Sequence, residues 1–144
     1  MNYELLPAAR RDIKAIFRLN KELIDRYEDV ARINYSKVMK LVQSGVKERI
    51  GEYERITCGG ETAGYLLVTE KPDCLELEDL FLYPKFQNRG IGTAIVRSVI
   101  EHTNKPVTLY VFIKNTGALN LYERLGFQIS ETVHETRYKM IYRR

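Results

Sequence analysis

A chain of 144 residues, 44% apolar and 29% charged, with nine Gly and four Pro, has the size of one domain and excludes a disordered, collagenous or low-complexity polypeptide. Its formal net charge of +4 splits evenly on either side of Lys71/Pro72, so no basic tail marks a nucleic-acid ligand. The two cysteines, Cys58 and Cys74, have no CxxC spacing and no nearby histidine pair, which argues against structural zinc and against a disulfide framework.

The first strand is expected over Asn2 to Leu6, ended by Pro7. A helical pattern follows from about Ala9 to Tyr27, with Ile13, Ile16, Phe17, Asn20, Leu23, Ile24 and Tyr27 at steps of three and four, all but Asn20 apolar. A second helix from Tyr35 to Ser44 carries Val38, Leu41 and Val42; Gly45 fits its C-terminal end, and Asn34 or Ser36 its N-cap. A strand over Arg49 to Thr57 then turns at Gly59-Gly60, a hairpin signal, into Thr62 to Thr69. After Lys71-Pro72-Asp73, a third strand runs from Cys74 to Tyr83. Its leucines at 75, 77, 80 and 82 do not keep one parity, which predicts a bulge or burial on both faces near Asp79.

A glycine-containing loop ends at Gly92 and leads into a helix reaching about His102. Val107 to Ile113 reads as a strand, Thr116 to Leu125 as a helix burying Leu119, Tyr122 and Leu125, and Phe127 to Thr132 with Val133 to Tyr142 as a final strand pair. The order β-α-α-β-β-β-α-β-α-β-β is that of a mixed α/β chain, and the crossover from Leu75 to Ile113 forces one parallel pair. No apolar run approaches the ~18 residues of a membrane span. The start lacks the layout of a signal peptide, so a cytoplasmic location with reduced thiols is expected.

Two strings carry chemistry. Gln87-Asn88-Arg89-Gly90-Ile91-Gly92 joins a strand to a helix start, where unpaired N–H groups and the positive end of the helix dipole favour an anion. Glycines at 90 and 92 let a ligand approach the backbone, and Arg89 adds a charged donor. Taken alone, the string fits a flexible strand–helix turn equally well. There is no GxxxxGK[ST] loop, and Ile95 occupies the third glycine position of a dinucleotide fingerprint. Downstream, Asn115, Ala118, Tyr122 and Gly126-Phe127 set a helical stripe and its C-cap; its plain reading is a tyrosine packed on the sheet.

Together with Glu78-Asp79-Leu80-Phe81-Leu82-Tyr83-Pro84 and Gly60 to Tyr65, these strings resemble the GNAT superfamily of acyl-CoA-dependent N-acetyltransferases. The resemblance implies a central mixed, mostly antiparallel sheet with a splayed parallel strand pair and flanking helices, and a single acetyltransferase domain over residues 1–144. It implies acetyl-CoA as co-substrate. Its pyrophosphate would lie on the loop of Gln87, Asn88, Arg89, Gly90, Ile91 and Gly92 and on Thr93 at the helix start. Main-chain groups of Leu80, Phe81 and Leu82 would take the pantetheine arm. Asn115 matches a CoA-contacting asparagine, and Tyr122 the tyrosine that protonates the leaving thiolate. The loop opens with Gln where the family often has Arg, and Asn88-Arg89 stands where small or basic residues are usual.

The implied reaction needs two proton handlers, and neither a metal nor a covalent enzyme intermediate. An alkylammonium, with a pKa near about 10.4, must lose a proton before it attacks a thioester, and the departing thiolate must gain one. Glu78 is the first candidate for the base and Glu76, two residues back, the second; both also fit a solvated strand face. Asp79, expected on the opposite face, is weaker. His102 and His134 read as surface residues. Ala8 to Ser44 would shape the pocket for a small-molecule or peptide amine. Its acidic residues Glu22, Asp25, Glu28 and Asp29 either face a cationic acceptor or, interleaved with Lys21, Arg26 and Arg32, form a solvated face. Superfamily members often dimerise through the C-terminal strands, so a homodimer is among the assemblies implied. The competing reading is a non-catalytic CoA-binding regulatory module.

Overall fold

The computed structural model describes residues 2–144. Its elements, in chain order, are β1 (Glu4–Pro7), α1 (Ile13–Tyr27), α2 (Tyr35–Arg49), β2 (Glu54–Cys58), β3 (Glu61–Glu70), β4 (Leu75–Leu82), α3 (Ile91–Glu101), β5 (Val107–Phe112), α4 (Thr116–Arg124), β6 (Gln128–Val133) and β7 (Arg137–Tyr142). The order is the one expected. The strands form one seven-stranded sheet, β1-β2-β3-β4-β5-β7-β6. Every neighbouring pair is antiparallel except β4 and β5, which pair in parallel only at Leu75 with Val107 and Glu76 with Thr108. Beyond those residues the two strands separate.

The centre of the sheet is buried on both sides, while the edge strands β1 and β6 are exposed. One side packs Ile91, Ile95 and Val96 of α3, with Leu119 and Tyr122 of α4, onto Leu66, Leu77 and Leu109. The other packs Ile16 of α1 and Val46 of α2 onto Tyr65, Leu67 and Phe81. Adjacent residues of β3 thus serve opposite cores, as the apolar run in its sequence requires. The leucine parity of β4 is resolved by a bulge. Val68 pairs with Leu77 and Leu67 with Asp79, so Glu78 is the extra residue. The bulge flips the parity of everything after it, which places Leu75, Leu77, Leu80 and Leu82 on one core.

Two boundaries differ from expectation in a way that matters for the site. Helix α2 does not end at Gly45 but continues to Arg49, followed by a single 3-10 turn, Ile50–Glu52. Val46, 3% exposed, extends the stripe of Val38 and Val42 into the core, and burying it outweighs the roughly 1 kcal/mol that a mid-helix glycine costs. Strand β2 consequently begins at Glu54 and not at Arg49. At the other end of α2, the Asn34 side chain accepts from the Lys37 N–H at 3.2 Å, so Asn34 is the cap. Leu41, expected on the buried stripe, is exposed. Strand β1 includes Pro7, tolerated because this is a sheet edge. The hairpin at Gly59-Gly60 uses two positive φ angles, +57° and +84°, as a tight two-residue turn demands.

Candidate active site

The separation of β4 from β5 opens a cleft of about 390 Å³, lined among others by Glu78, Asp79 and Leu80 of β4, Val111 of β5, and Asn115 and Tyr122 at α4. The edge of β4 facing β5 has no ladder partner beyond Glu76, so it offers main-chain groups to whatever enters. Leu80, Phe81 and Glu76 also line the cleft. The Phe81 ring, 7% exposed, belongs to the core on the α1/α2 side. The carbonyl of Leu82 accepts from Gln87 Nε2 at 2.8 Å, so that oxygen is already engaged.

The bulge gives the carboxylates of β4 different surroundings. Glu78 meets the guanidinium of Arg49, with Nη1 to Oε1 at 2.9 Å and Nη2 to Oε2 at 2.7 Å. The Thr69 hydroxyl also donates to Oε2. These donors hold the Glu78 carboxyl below the usual carboxylate range. Asp79 does not lie on the opposite face from Glu78 as the alternation of an unbulged strand predicts. Its carboxylate turns to the same side and accepts from the Tyr53 hydroxyl. Burial pushes the Asp79 carboxyl up, with the Tyr53 hydrogen bond opposing. Burial likewise raises the Tyr53 phenol. Glu76 is paired with Lys71 at 2.7 Å at the closed end of the cleft. All three carboxylates therefore have partners, and at Glu78 the partner is a guanidinium that grips both oxygens and holds the group ionised.

Across the cleft, the Tyr122 ring stands edge-on to Phe127, with centroids 5.6 Å apart. Its hydroxyl has no hydrogen-bond partner among the described residues. Burial pushes its pKa up to about 12. Asn115 caps α4, its Oδ1 accepting from the Ala118 N–H at 3.3 Å. The side-chain amide NH2 is left over for another acceptor.

The loop of Gln87 to Gly92 closes one end. Gly90 sits at the N-cap of α3 with φ +85°, and Asn88 also has a positive φ, +60°. No side chain caps this helix. The first N–H to find a carbonyl within the turn is that of Ala94, which donates to Gly90 at 3.0 Å. The N–H groups of Ile91, Gly92 and Thr93 are thus the free donors of the first turn. Ile91 is also a core residue, 1% exposed, which fixes where the helix begins. Gly92 abuts Leu82 and Leu121, so the start of α3 leans on the strand and helix that bound the cleft. Arg89 lies over the Phe86 ring, 5.5 Å from its centroid, and has no carboxylate partner among the described residues.

A second cavity of about 560 Å³ adjoins the first, between the end of α1 and the turn joining β6 to β7. Arg137 lines both cavities. Its Nη2 donates to Glu28 Oε2 at 3.0 Å, and its guanidinium lies 4.7 Å from the Phe112 centroid. Of the two readings given for Glu28, the solvated face does not hold, since its side chain is only 8% exposed. Asp25 is paired with Lys21 and Asp29 with Arg32 on the surface, and Glu22 is exposed. His102 and His134 are both exposed, as expected.

Sequence reasoning missed Arg49 and Tyr53. It read them as part of a strand, although the 38-42-46 valine spacing carried the helical stripe straight through Gly45. It also missed Arg137, which nothing local distinguishes from its neighbours on a strand.

An acetyltransferase (GNAT) family model matches residues 47–127, the stretch that holds β4, the loop, α3 and α4. Among curated proteins, an uncharacterized N-acetyltransferase of Methanocaldococcus jannaschii is 41% identical over 68 residues, 44% of this chain and 30% of the relative. The spermine/spermidine N(1)-acetyltransferase of Bacillus subtilis is 24% identical over 83% of this chain and 88% of its own length. The chain spans under a third of the length of the first curated relatives it matches, 30% and 27%. Among solved structures, an N-acetyltransferase of Staphylococcus aureus superposes with a TM-score of 0.71 at 16% identity, covering 96% of this chain and 99% of that one. An N-acetyltransferase of Thermoplasma acidophilum, solved in complex with coenzyme A, gives 0.70 at 14% identity with full coverage of both. At such identities the likeness is one of fold. With the family model covering more than half of its residues, the chain belongs to the acetyltransferase (GNAT) family.

Proposed function

We propose that the protein transfers the acetyl group of acetyl-CoA to a primary amine by direct attack, with Glu78 as general base and Tyr122 as general acid. The observation that carries this reading is that a carboxylate held ionised and a phenol held protonated line one cleft. The fit to coenzyme A rests on the start of α3. Its first turn has no side-chain cap, its glycine N-cap puts no Cβ in the way, and Arg89 adds an uncommitted cation, so the free N–H groups of Ile91, Gly92 and Thr93 suit a pyrophosphate. Gln87, Asn88 and Gly90 shape that loop. The edge of β4 at Leu80, Phe81 and Leu82, left without a ladder partner from β5, and the amide of Asn115 suit the pantetheine arm, the Leu82 carbonyl being already taken by Gln87 Nε2.

Each protein group then has one task. Glu78 takes the ammonium proton, directly or through water, which frees the lone pair for attack on the thioester carbon. As the C–S bond breaks, Tyr122 gives its proton to the departing sulfur and is reprotonated by the second proton that the attacking nitrogen loses in becoming an amide, so the phenol returns to its starting state. Glu76 is the second candidate for the base, and its place at the closed end of the cleft, where β4 still pairs with β5, makes it the weaker one. The acceptor enters from the side of α1, α2 and Arg137. The test is acetyl-CoA-dependent thiol release over a panel of amines, with Glu78→Gln expected to lower turnover roughly a hundredfold or more.

The Glu78–Arg49 pair is also what a purely structural ion pair looks like, and it favours a second reading, a CoA-binding module without turnover. That reading expects CoA to raise the melting temperature with no acetylated product from any amine.

A further inference from the structure

The donors around Glu78 leave its carboxylate with a single direction in which to act. A carboxylate offers about four acceptor positions on its two oxygens. Oε2 accepts from Arg49 Nη2 and from the Thr69 hydroxyl, and Oε1 accepts from Arg49 Nη1. The direction of the Thr69 bond follows from its neighbours. Arg49 has no acceptor, so Thr69 Oγ1 accepts from Nη2 at 2.8 Å and its proton goes to Glu78. One position, on Oε1, is left over. Arg49 is itself held from behind, with Glu52 accepting from Nε and Nη2 at 3.3 Å each. The whole arrangement exists because α2 runs past Gly45 and delivers Arg49 to the bulge of β4.

We propose that Arg49 is the positioning residue of the reaction: its two-point grip on Glu78, completed by Thr69, sets the carboxylate so that one Oε1 lone pair faces the cleft and receives the acceptor's proton. The inference rests on the reading of Glu78 as the base. A lysine at this place does not reproduce the grip, since a point charge cannot span both oxygens and Thr69 together. The groups facing Glu78 are Arg49, Glu52 and Tyr53 from the end of α2, Thr69 and Lys71 at the end of β3, and Glu76 and Asp79 on β4. Arg49 is the cation in direct contact, so it keeps Glu78 ionised to lower pH than a carboxylate alone.

The experiment is a double-mutant cycle on the full chain, read by kcat, by KM for acetyl-CoA and by the acid limb of the pH–rate profile. Arg49→Met is expected to lower kcat by up to about a hundredfold, to leave the KM for acetyl-CoA unchanged and to move the acid limb to higher pH. It is expected to add no further loss in the Glu78→Gln background. Arg49→Lys is expected to restore part of kcat with an intermediate limb, and it carries the test if Arg49→Met does not fold. Wild-type kcat in both Arg49 variants overturns the positioning role, as does an equal further loss in the Glu78→Gln background. If Glu78→Gln alone leaves turnover unchanged, the base assignment has failed first, and the two failures are told apart by that single variant.

Discussion

Tyr122 is a phenol with a partly buried ring, no hydrogen-bond partner among the described residues and a pKa pushed up to about 12. A group so placed keeps its proton, and it lines the cleft. Replacing it with phenylalanine keeps the packing against Phe127 and removes the proton donor. Tyr122→Phe should therefore lower kcat by roughly a hundredfold or more while acetyl-CoA binds as in the wild type; initial rates and a calorimetric titration check the two halves. The pH dependence has a definite sign. The acid works protonated, so its activity is lost as pH rises through its own pKa. An ordinary tyrosine starts to lose its proton near about pH 10, whereas Tyr122 holds its proton up to about 12. No decline assignable to it is expected between about pH 8 and about pH 10, as a pH–rate profile in kcat would show.

The elements that build the site depend on two backbone positions where only glycine serves. In β3, a Cβ on Gly64 would lie 1.7 Å from the carbonyl oxygen of Phe81 on β4. No side chain can move out of the way there, because the obstacle is main chain. Gly64→Ala should push β3 off β4 and cost about 3 kcal/mol, the upper end of what overpacking typically costs, seen as a drop in the urea midpoint. Gly90 is the opposite case, with open space around it but φ +85°. Gly90→Val strains that conformation by roughly 1–2 kcal/mol in an exposed loop. The fold should survive with a cooperative thermal transition, while acetyl-CoA binds more weakly; wild-type affinity would remove the loop from the pyrophosphate site. Gly90 was legible as a loop signal, whereas Gly64 was read only as part of a strand, and the structure shows a dihedral demand at the first and a packing demand at the second.

Much of the architecture could be read from pattern because the patterns were local. The broken leucine parity of β4 announced the bulge, and the strand–helix–strand crossover announced the parallel pair. What escaped was contact between distant segments. Arg49 and Glu78 are 29 residues apart, Tyr53 and Asp79 are 26, and Glu28 and Arg137 are 109. The side on which Asp79 emerges depends on which residue of the bulge is extra, and no periodicity states that. Gly45 misled because a propensity of about 1 kcal/mol is easily overridden by one buried valine one residue on.

At the scale of the whole molecule, the splay between β4 and β5 is the feature that makes a site out of a sheet. It places Glu78 on one wall and Tyr122 on another, with the uncapped start of α3 at the end of β4. Arg89, with no carboxylate partner among the described residues, is the cation proposed to meet an anionic ligand there. The measurement that tests the account most directly is acetyl-CoA-dependent thiol release over chemically diverse primary amines, with the product identified by mass. The account predicts that one class of amine releases thiol and gains one acetyl group in equal amounts, and that Glu78→Gln and Tyr122→Phe each abolish most of this release while still binding acetyl-CoA. Binding of acetyl-CoA without thiol release or acetylated product from any amine would contradict it.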